Sequence, residues 1–288
     1  MNDNLYIYVY FPDTYLYILY RYIVGMISKT EQTKVLHINS KKQTKQLKLV
    51  KKPTIIFDID QTLISSTDTN TNTPTPFEQK SVSYIPHAST ETNNIIVHIR
   101  PGTRDILRCL YKNKNKFNIG FWSTGELEYV QAIVKMLLTE FTNFPITILL
   151  ARRVLVDGTY KIIDAITNKL YDYTFVRGVP AKNMQLLFQH PDYKNKFNKN
   201  ATILIDDLTQ NIIINKPNNV IKISGWAAKT NCDVLNHLTK WLELNCDRRT
   251  FSNLEMPILD KNSKFTFKHC NISRKSTKGG FKKYTRRR

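Results

Sequence analysis

The chain has 288 residues, 41% hydrophobic and 23% charged, which is material for one substantial buried core, or one core with a small insertion. Its four cysteines, Cys109, Cys232, Cys246 and Cys270, stand far apart with no CxxC pair, which excludes a zinc knuckle and a dense disulfide framework and favours a nuclear or cytoplasmic compartment. The formal net charge of +20 is concentrated at two places: residues 41–52 hold six lysines and no acid, and residues 274–288 hold eight Lys or Arg and no acid.

In chain order, the first feature is the apolar, tyrosine-rich stretch at residues 5–27. A membrane span needs roughly 20 predominantly apolar residues, whereas this stretch is broken by Pro12 and Asp13 and carries Arg21. A packed or accessory segment is the better reading, ahead of a membrane anchor. The alternation of Tyr6, Tyr8 and Tyr10 also suits a hairpin turning at Pro12-Asp13. Met26 stands as an alternative start, and the missing basic n-region speaks against a cleavable signal.

After the lysine-rich linker, "TIIFDI" reads as a buried strand bounded by Pro53 and by Asp58 and Asp60. Residues 66–94 are polar with no helical period and read as a loop or flap. "NIIVHIRPG" predicts a strand ended by Pro101-Gly102, and "TRDILRCLYKNK" a capped helix from Thr103. "FNIGFWSTG" is the next buried strand. In "ELEYVQAIVKMLLTEF", Leu127, Val130, Ile133, Val134 and Leu137 recur at helical spacing. A strand follows in "PITILLARRVL", then a hairpin-like insertion over 157–176 turning at Asp157-Gly158. A helix is expected from Pro180, with Lys182 in its first turn. "ATILIDDLTQN" repeats the opening pattern, an apolar strand ending in Asp206 and Asp207. "NVIKISGW" is one more strand, and "CDVLNHLTKWLELN" a closing amphipathic helix. His98, His190 and His237 lack ligand spacing, and Trp122 and Trp226 read as core.

Strands alternating with helices at this spacing imply an α/β fold, a Rossmann-like parallel sheet covered on both faces. The expected organisation is an extension and basic linker over 1–52, this domain over 53–250, and a basic tail over 251–288. Ligands in such sheets bind beyond the carboxyl ends of the strands. Asp58, Asp60, Ser123, Thr124, Asp206 and Asp207 all fall at such ends. Four carboxylates gathered there repel one another, and a hard divalent cation relieves the repulsion; Mg2+ takes one or two carboxylates, waters and a substrate phosphate. A cation with a free carboxylate equips phosphoryl transfer through an aspartyl-phosphate. A lysine is then needed to hold the nucleophile, for which Lys182 is the first candidate and Lys161 the second.

"DIDQT" at 58–62 resembles the DxDxT signature of haloacid-dehalogenase-type phosphatases, in particular the subgroup that dephosphorylates the RNA polymerase II carboxy-terminal domain. The resemblance continues through "VHIRPGTRDIL", "FWSTGELEYV", "AKNMQLLF", "ILIDDLTQN" and "VIKISGW", over roughly residues 53 to 245. It implies Asp58 as nucleophile and metal ligand. Asp60 would be general acid/base, binding the metal through its backbone carbonyl, and Thr62 would support the loop. Ser123 would hydrogen-bond the phosphate, where the family usually has threonine. Lys182 would neutralise phosphate charge, and Asp206 and Asp207 would complete a Mg2+ site, Asp207 more directly. The insertion is longer than the family's.

Three functional readings follow. The first is a Mg2+-dependent phosphatase of phosphoserine or phosphothreonine in proteins. Capsid-assembly proteins of baculoviruses and nudiviruses belong to the same subgroup. The AT-rich codon usage implied by frequent Asn, Lys, Ile and Tyr, together with the basic arms, is compatible with such an origin and with a host nucleus or virion. The second is a nucleic-acid-end phosphatase. The third is a non-catalytic scaffold holding nucleic acid or capsid partners through its arms, since a tail such as "RKSTKGGFKKYTRRR" suits nucleic acid or an acidic partner, or simply solvent.

Overall fold

A computed structural model of the chain describes residues 51–68, 75–87, 89–229, 231–248, 250–251, 257–258 and 266–267. The stretch at 5–27, Met26, Cys270 and the tail at 274–288 lie outside the described residues, as does the lysine run before Lys51.

All four residues of β1 (Thr54–Phe57) are buried, as a strand covered on both faces requires. It pairs in parallel with β11 (Thr202–Asp206) on one side and β5 (Asn118–Glu126) on the other. Beyond these lie β12 (Val220–Lys222) and β6 (Ile146–Val154), also parallel. The insertion expected at 157–176 is built of hairpins. Two of its strands, β7 (Tyr160–Asp164) and β8 (Lys169–Asp172), continue the main sheet antiparallel from β6, with Gly158 supplying the positive φ of the first turn. The seven-stranded sheet, in the order β12-β11-β1-β5-β6-β7-β8, is therefore mixed, with parallel strands at its centre.

Alternation along β1 divides the core. Ile55 and Phe57 face a layer that includes Ile106 and Leu110 of α1 (Thr103–Lys112), Val130, Ile133 and Leu137 of α2 (Leu127–Leu138), and Leu235, Leu238 and Trp241 of α5 (Val234–Asn245). Ile56 faces the opposite layer, with Trp122, Ile148, Leu204, Leu187 and Tyr193. The apolar spacing read in α2 matches its buried residues Leu127, Val130, Ile133, Val134 and Leu137. Trp122 and Trp226 are both buried.

Two expectations of local structure are corrected. Residues 66–94 are not a plain loop: β2 (Ile64–Asp68), β4 (Asn93–Ile99) and β3 (Gln79–Tyr84) form an antiparallel sheet in the order β2-β4-β3. Only Val82 of β3 is buried, so this strand carries almost no apolar signal. The helix expected from Pro180 begins later. Pro180 instead sits in β10 (Val179–Ala181), paired with β9 (Thr174–Val176), and α3 runs only over Gln185–Gln189. The Asn183 Oδ1 accepts the Gln185 N–H at 3.0 Å and marks the true start. Lys182 thus leaves a strand and enters the core. A short helix, α4 (Thr209–Ile213), follows β11, and Pro257–Ile258 and Thr266–Phe267 pair as β13 and β14. Among the described residues no helix is long and apolar enough to cross a membrane.

Candidate active site

At the carboxyl end of β1, Asp58 is buried, and Asp60, two residues on, is half-buried. Gln61 adopts φ 59°, a left-handed conformation that costs a non-glycine residue roughly 1–2 kcal/mol. Its carbonyl accepts from the Trp226 N–H at 2.9 Å and from the Arg100 guanidinium at 3.0 Å, which holds the turn closed. The chain then folds back so that Thr62 Oγ1 donates to Asp58 Oδ2 at 3.2 Å. Arg100 also donates to the carbonyls of Thr62 and Ser224, at 3.2 and 2.9 Å, and so ties the first strand's turn to the segment after β12.

Lys182 is wholly buried, and its ammonium donates to Asp58 Oδ1 and, at 2.8 Å, to Asp206 Oδ2. Two asparagines one helical turn apart fix its backbone. Asn211 Oδ1 accepts the Lys182 N–H at 2.8 Å, Asn215 Nδ2 donates to the Lys182 carbonyl at 2.7 Å, and Asn215 Oδ1 accepts the Met184 N–H. Asn211 Nδ2 also donates to Asp206 Oδ2 at 2.9 Å, and the Leu208 N–H donates to Asp206 Oδ1 at 2.8 Å. Burial pulls the lysine pKa down, but Asp206 and Asp58 outweigh it, and the net shift is upward, so Lys182 is a fixed cation.

Asp58, Asp206 and Asp207 offer carboxylate oxygens within 4.8 Å of one another. Burial raises the Asp58 pKa well above the usual carboxylate range; Lys182 opposes this, and Asp206 and Asp207 add to it. Asp207 is raised too, by burial and then by Asp206. Its Oδ1 is buried with no hydrogen-bond partner. Three carboxylates against one ammonium, with one oxygen left over, fit a hard divalent cation with oxygen ligands. Gly225 borders this space, since a Cβ there would lie 2.9 Å from Asp207 Oδ2 and 2.8 Å from Gln61 Oε1.

Asp60 turns the other way. Tyr129 on α2 donates its hydroxyl to Asp60 Oδ1, and the nearby Ser123 hydroxyl also favours the carboxylate form. Burial raises the Asp60 pKa more than Tyr129, Lys182 and Ser123 lower it. Burial, and then the Asp60 charge, raise the Tyr129 pKa strongly, so the phenol stays a donor. Ser123 is buried and accepts the Gly125 N–H at 2.9 Å, which orients its hydroxyl at the end of β5.

The structure therefore gathers Asp58, Asp206, Asp207 and Lys182 into one cluster, with Thr62 on Asp58 and with Asp60 and Ser123 alongside. Lys161 lies apart, paired with Asp172 between β7 and β8. Tyr129, Arg100, Asn211 and Asn215 were not assigned roles from the sequence. The two asparagines had one faint signal, their four-residue spacing after the acidic pair; Arg100 lies in the resembling stretch "VHIRPGTRDIL", which by itself assigns it no role.

An α/β sheet with a DxDxT turn on its first strand, a buried lysine and two further aspartates is a haloacid-dehalogenase-type phosphatase fold. The chain belongs to the NLI interacting factor-like phosphatase family, whose pattern matches residues 53–253. Among solved structures it is similar to a variant of the fission yeast RNA polymerase II CTD phosphatase Fcp1 bound to beryllium fluoride, and to Fcp1 described as an essential RNA polymerase II CTD phosphatase. Identity is 16% and the TM-score 0.39 in both cases; 71% of this chain is covered, and 54% and 52% of those chains. This chain spans about half the length of those structures. No curated protein matches the sequence.

Proposed function

We propose that the protein hydrolyses phosphoserine or phosphothreonine in proteins, with Mg2+ held by Asp58, Asp206, Asp207 and the Asp60 carbonyl. The observation that carries this reading is the division of labour between two aspartates one residue apart. Lys182 and Thr62 donate to Asp58 and orient it for attack, whereas Asp60 meets the neutral Tyr129 hydroxyl with no ammonium among the described residues in contact, and burial raises its pKa. The phosphoprotein substrate is supported by the likeness of the ordered motifs from "DIDQT" to "VIKISGW" to carboxy-terminal-domain phosphatases. A nuclear or cytoplasmic setting is part of the same proposal.

Asp58 attacks phosphorus, the bond to the seryl or threonyl oxygen breaks, and Asp60 gives its proton to that oxygen. Asp60, now a carboxylate, takes a proton from water as the water attacks phosphorus and breaks the bond to Asp58, releasing phosphate. Lys182 stays charged throughout and keeps Asp58 in place, while Ser123 donates to a phosphate oxygen. A bound Mg2+ supplies charge neutralisation for the phosphoryl oxygens.

Hydrolysis of p-nitrophenyl phosphate tests this reading. Asp58→Asn should lower the Mg2+-supported rate by on the order of 10³-fold or more. Retained activity in that variant would remove Asp58 as nucleophile. Faster turnover of a 3′-phosphorylated oligonucleotide than of a phosphopeptide would replace the protein substrate with nucleic-acid ends.

A further inference from the structure

We propose that the edge of the sheet opposite the active site is a nucleic-acid-binding face. Parallel strands separate the chain's charges by direction: the acids sit where β1 and β11 end, and lysines sit where strands begin. Lys51 and Lys52 precede β1, Lys112 and Lys114 precede β5, and Lys194, Lys196 and Lys199 precede β11. These three strands are neighbours, in the order β11-β1-β5, so their entry loops form one rim roughly 10 Å across at about 4.8 Å per strand. Contacts join the rim. Lys51 Nζ donates to the Lys194 carbonyl at 2.9 Å, the Asn118 N–H to the Pro53 carbonyl at 2.8 Å, and the Phe251 N–H to the Asn200 carbonyl at 2.8 Å.

Two acids near this rim are already engaged, Asp192 by Lys169 at 2.7 Å and Asp247 by Lys116 at 2.7 Å. Glu243 follows Lys240 by one helical turn on α5. Lys52, Lys112, Lys194, Lys196 and Lys199 are exposed. The lysine run of residues 41–52 reaches the described fold at Lys51, against the 194–200 loop.

A double-stranded nucleic acid carries about one negative charge per 1.7 Å of axis, so a rim of this width meets several phosphates without any pocket. An anionic membrane fits less well. The 194–200 and 112–118 loops bear none of the exposed large hydrophobic residues, and their aromatic members Phe117 and Phe197 are buried. At roughly 3.3 Å per residue, Asp58 lies about 20 Å from Lys52 along β1, so bound nucleic acid leaves the catalytic edge open.

The test is fluorescence anisotropy of a labelled DNA duplex titrated with the full chain at several salt concentrations. The variant is Lys194→Glu/Lys196→Glu/Lys199→Glu, with Lys112→Glu/Lys114→Glu as a second. The triple variant should bind at least tenfold more weakly, and its slope of log K against log salt should be shallower by roughly 0.9 per lost phosphate contact. Turnover of p-nitrophenyl phosphate and the unfolding midpoint should be unchanged. Wild-type affinity and slope in both variants would overturn the proposal. Binding of phosphatidylserine vesicles in the absence of duplex binding would also overturn it. Catalysis plays no part in this readout, so a failure of the phosphatase assignment would leave it standing.

Discussion

Arg100 and Gln61, 39 residues apart, are joined by a 3.0 Å hydrogen bond from a buried guanidinium to the carbonyl of the residue that adopts a left-handed conformation in the turn after Asp58. Among the described residues no carboxylate pairs with Arg100; its two terminal nitrogens serve main-chain carbonyls and Cys232 Sγ. Arg100→Lys keeps the charge and loses the fork. Stability should fall by about 2–3 kcal/mol in urea unfolding, since hydrogen bonds from a charged donor are worth ~1.5–3 kcal/mol each. In the folded fraction kcat should fall more than KM rises, because the turn carrying Asp58, the proposed nucleophile, is loosened rather than the substrate surface. A kcat equal to wild type would show that the turn holds itself.

Tyr129→Phe removes a donor to the carboxylate form of Asp60. That donor lowers the Asp60 pKa, so its loss raises it. With Asp60 protonated in the active form, rate falls as pH rises through its folded pKa, and the variant's alkaline limb should move to higher pH. The maximal rate should drop roughly tenfold, the equivalent of ~1.4 kcal/mol. A pH profile of p-nitrophenyl phosphate hydrolysis reads both; an unmoved limb would detach Tyr129 from Asp60.

Lys182→Met leaves Asp58 and Asp206 buried without their shared cation. Removing one partner of a buried ion pair costs about 3–5 kcal/mol, and denaturant unfolding in EDTA should show it. Added Mg2+ should recover part of that loss but none of the activity. A variant as stable as wild type in EDTA would mean the carboxylates are satisfied elsewhere.

With EDTA, the raised pKa values of Asp58 and Asp207 mean that the folded state binds protons more tightly than the unfolded chain. Stability from these groups is present at low pH and is lost as pH rises from about 3.9 through their folded values. Mg2+ should therefore raise the unfolding temperature more near neutral pH than in mildly acidic buffer. An equal shift at both would place the ion elsewhere.

The legible parts of the sequence were those where burial and chemistry coincide. β1 and β11 are apolar runs that stop at aspartates, and nothing in ordinary packing explains two acids at such a boundary. The flap strands were not legible, because β3 buries only Val82 and its hydroxyl-rich composition reads as loop. Pro180 misled for a different reason: proline suits a helix start as well as a strand with a spare donor, and only the pairing with Phe175 decides. Asn211 and Asn215 carry no local signal beyond their spacing, because each acts through backbone groups of a residue some thirty positions away.

The alternation of β1 has a bearing on how the protein can fail. Slipping this strand by a single position would trade Ile56 for its neighbours, pushing each side chain into the wrong layer, and would carry Ile59 to the place of Asp58. A misthreaded chain would be inert and badly packed by the same error. Correct packing of the two core layers and correct placement of Asp58 thus depend on one and the same strand register.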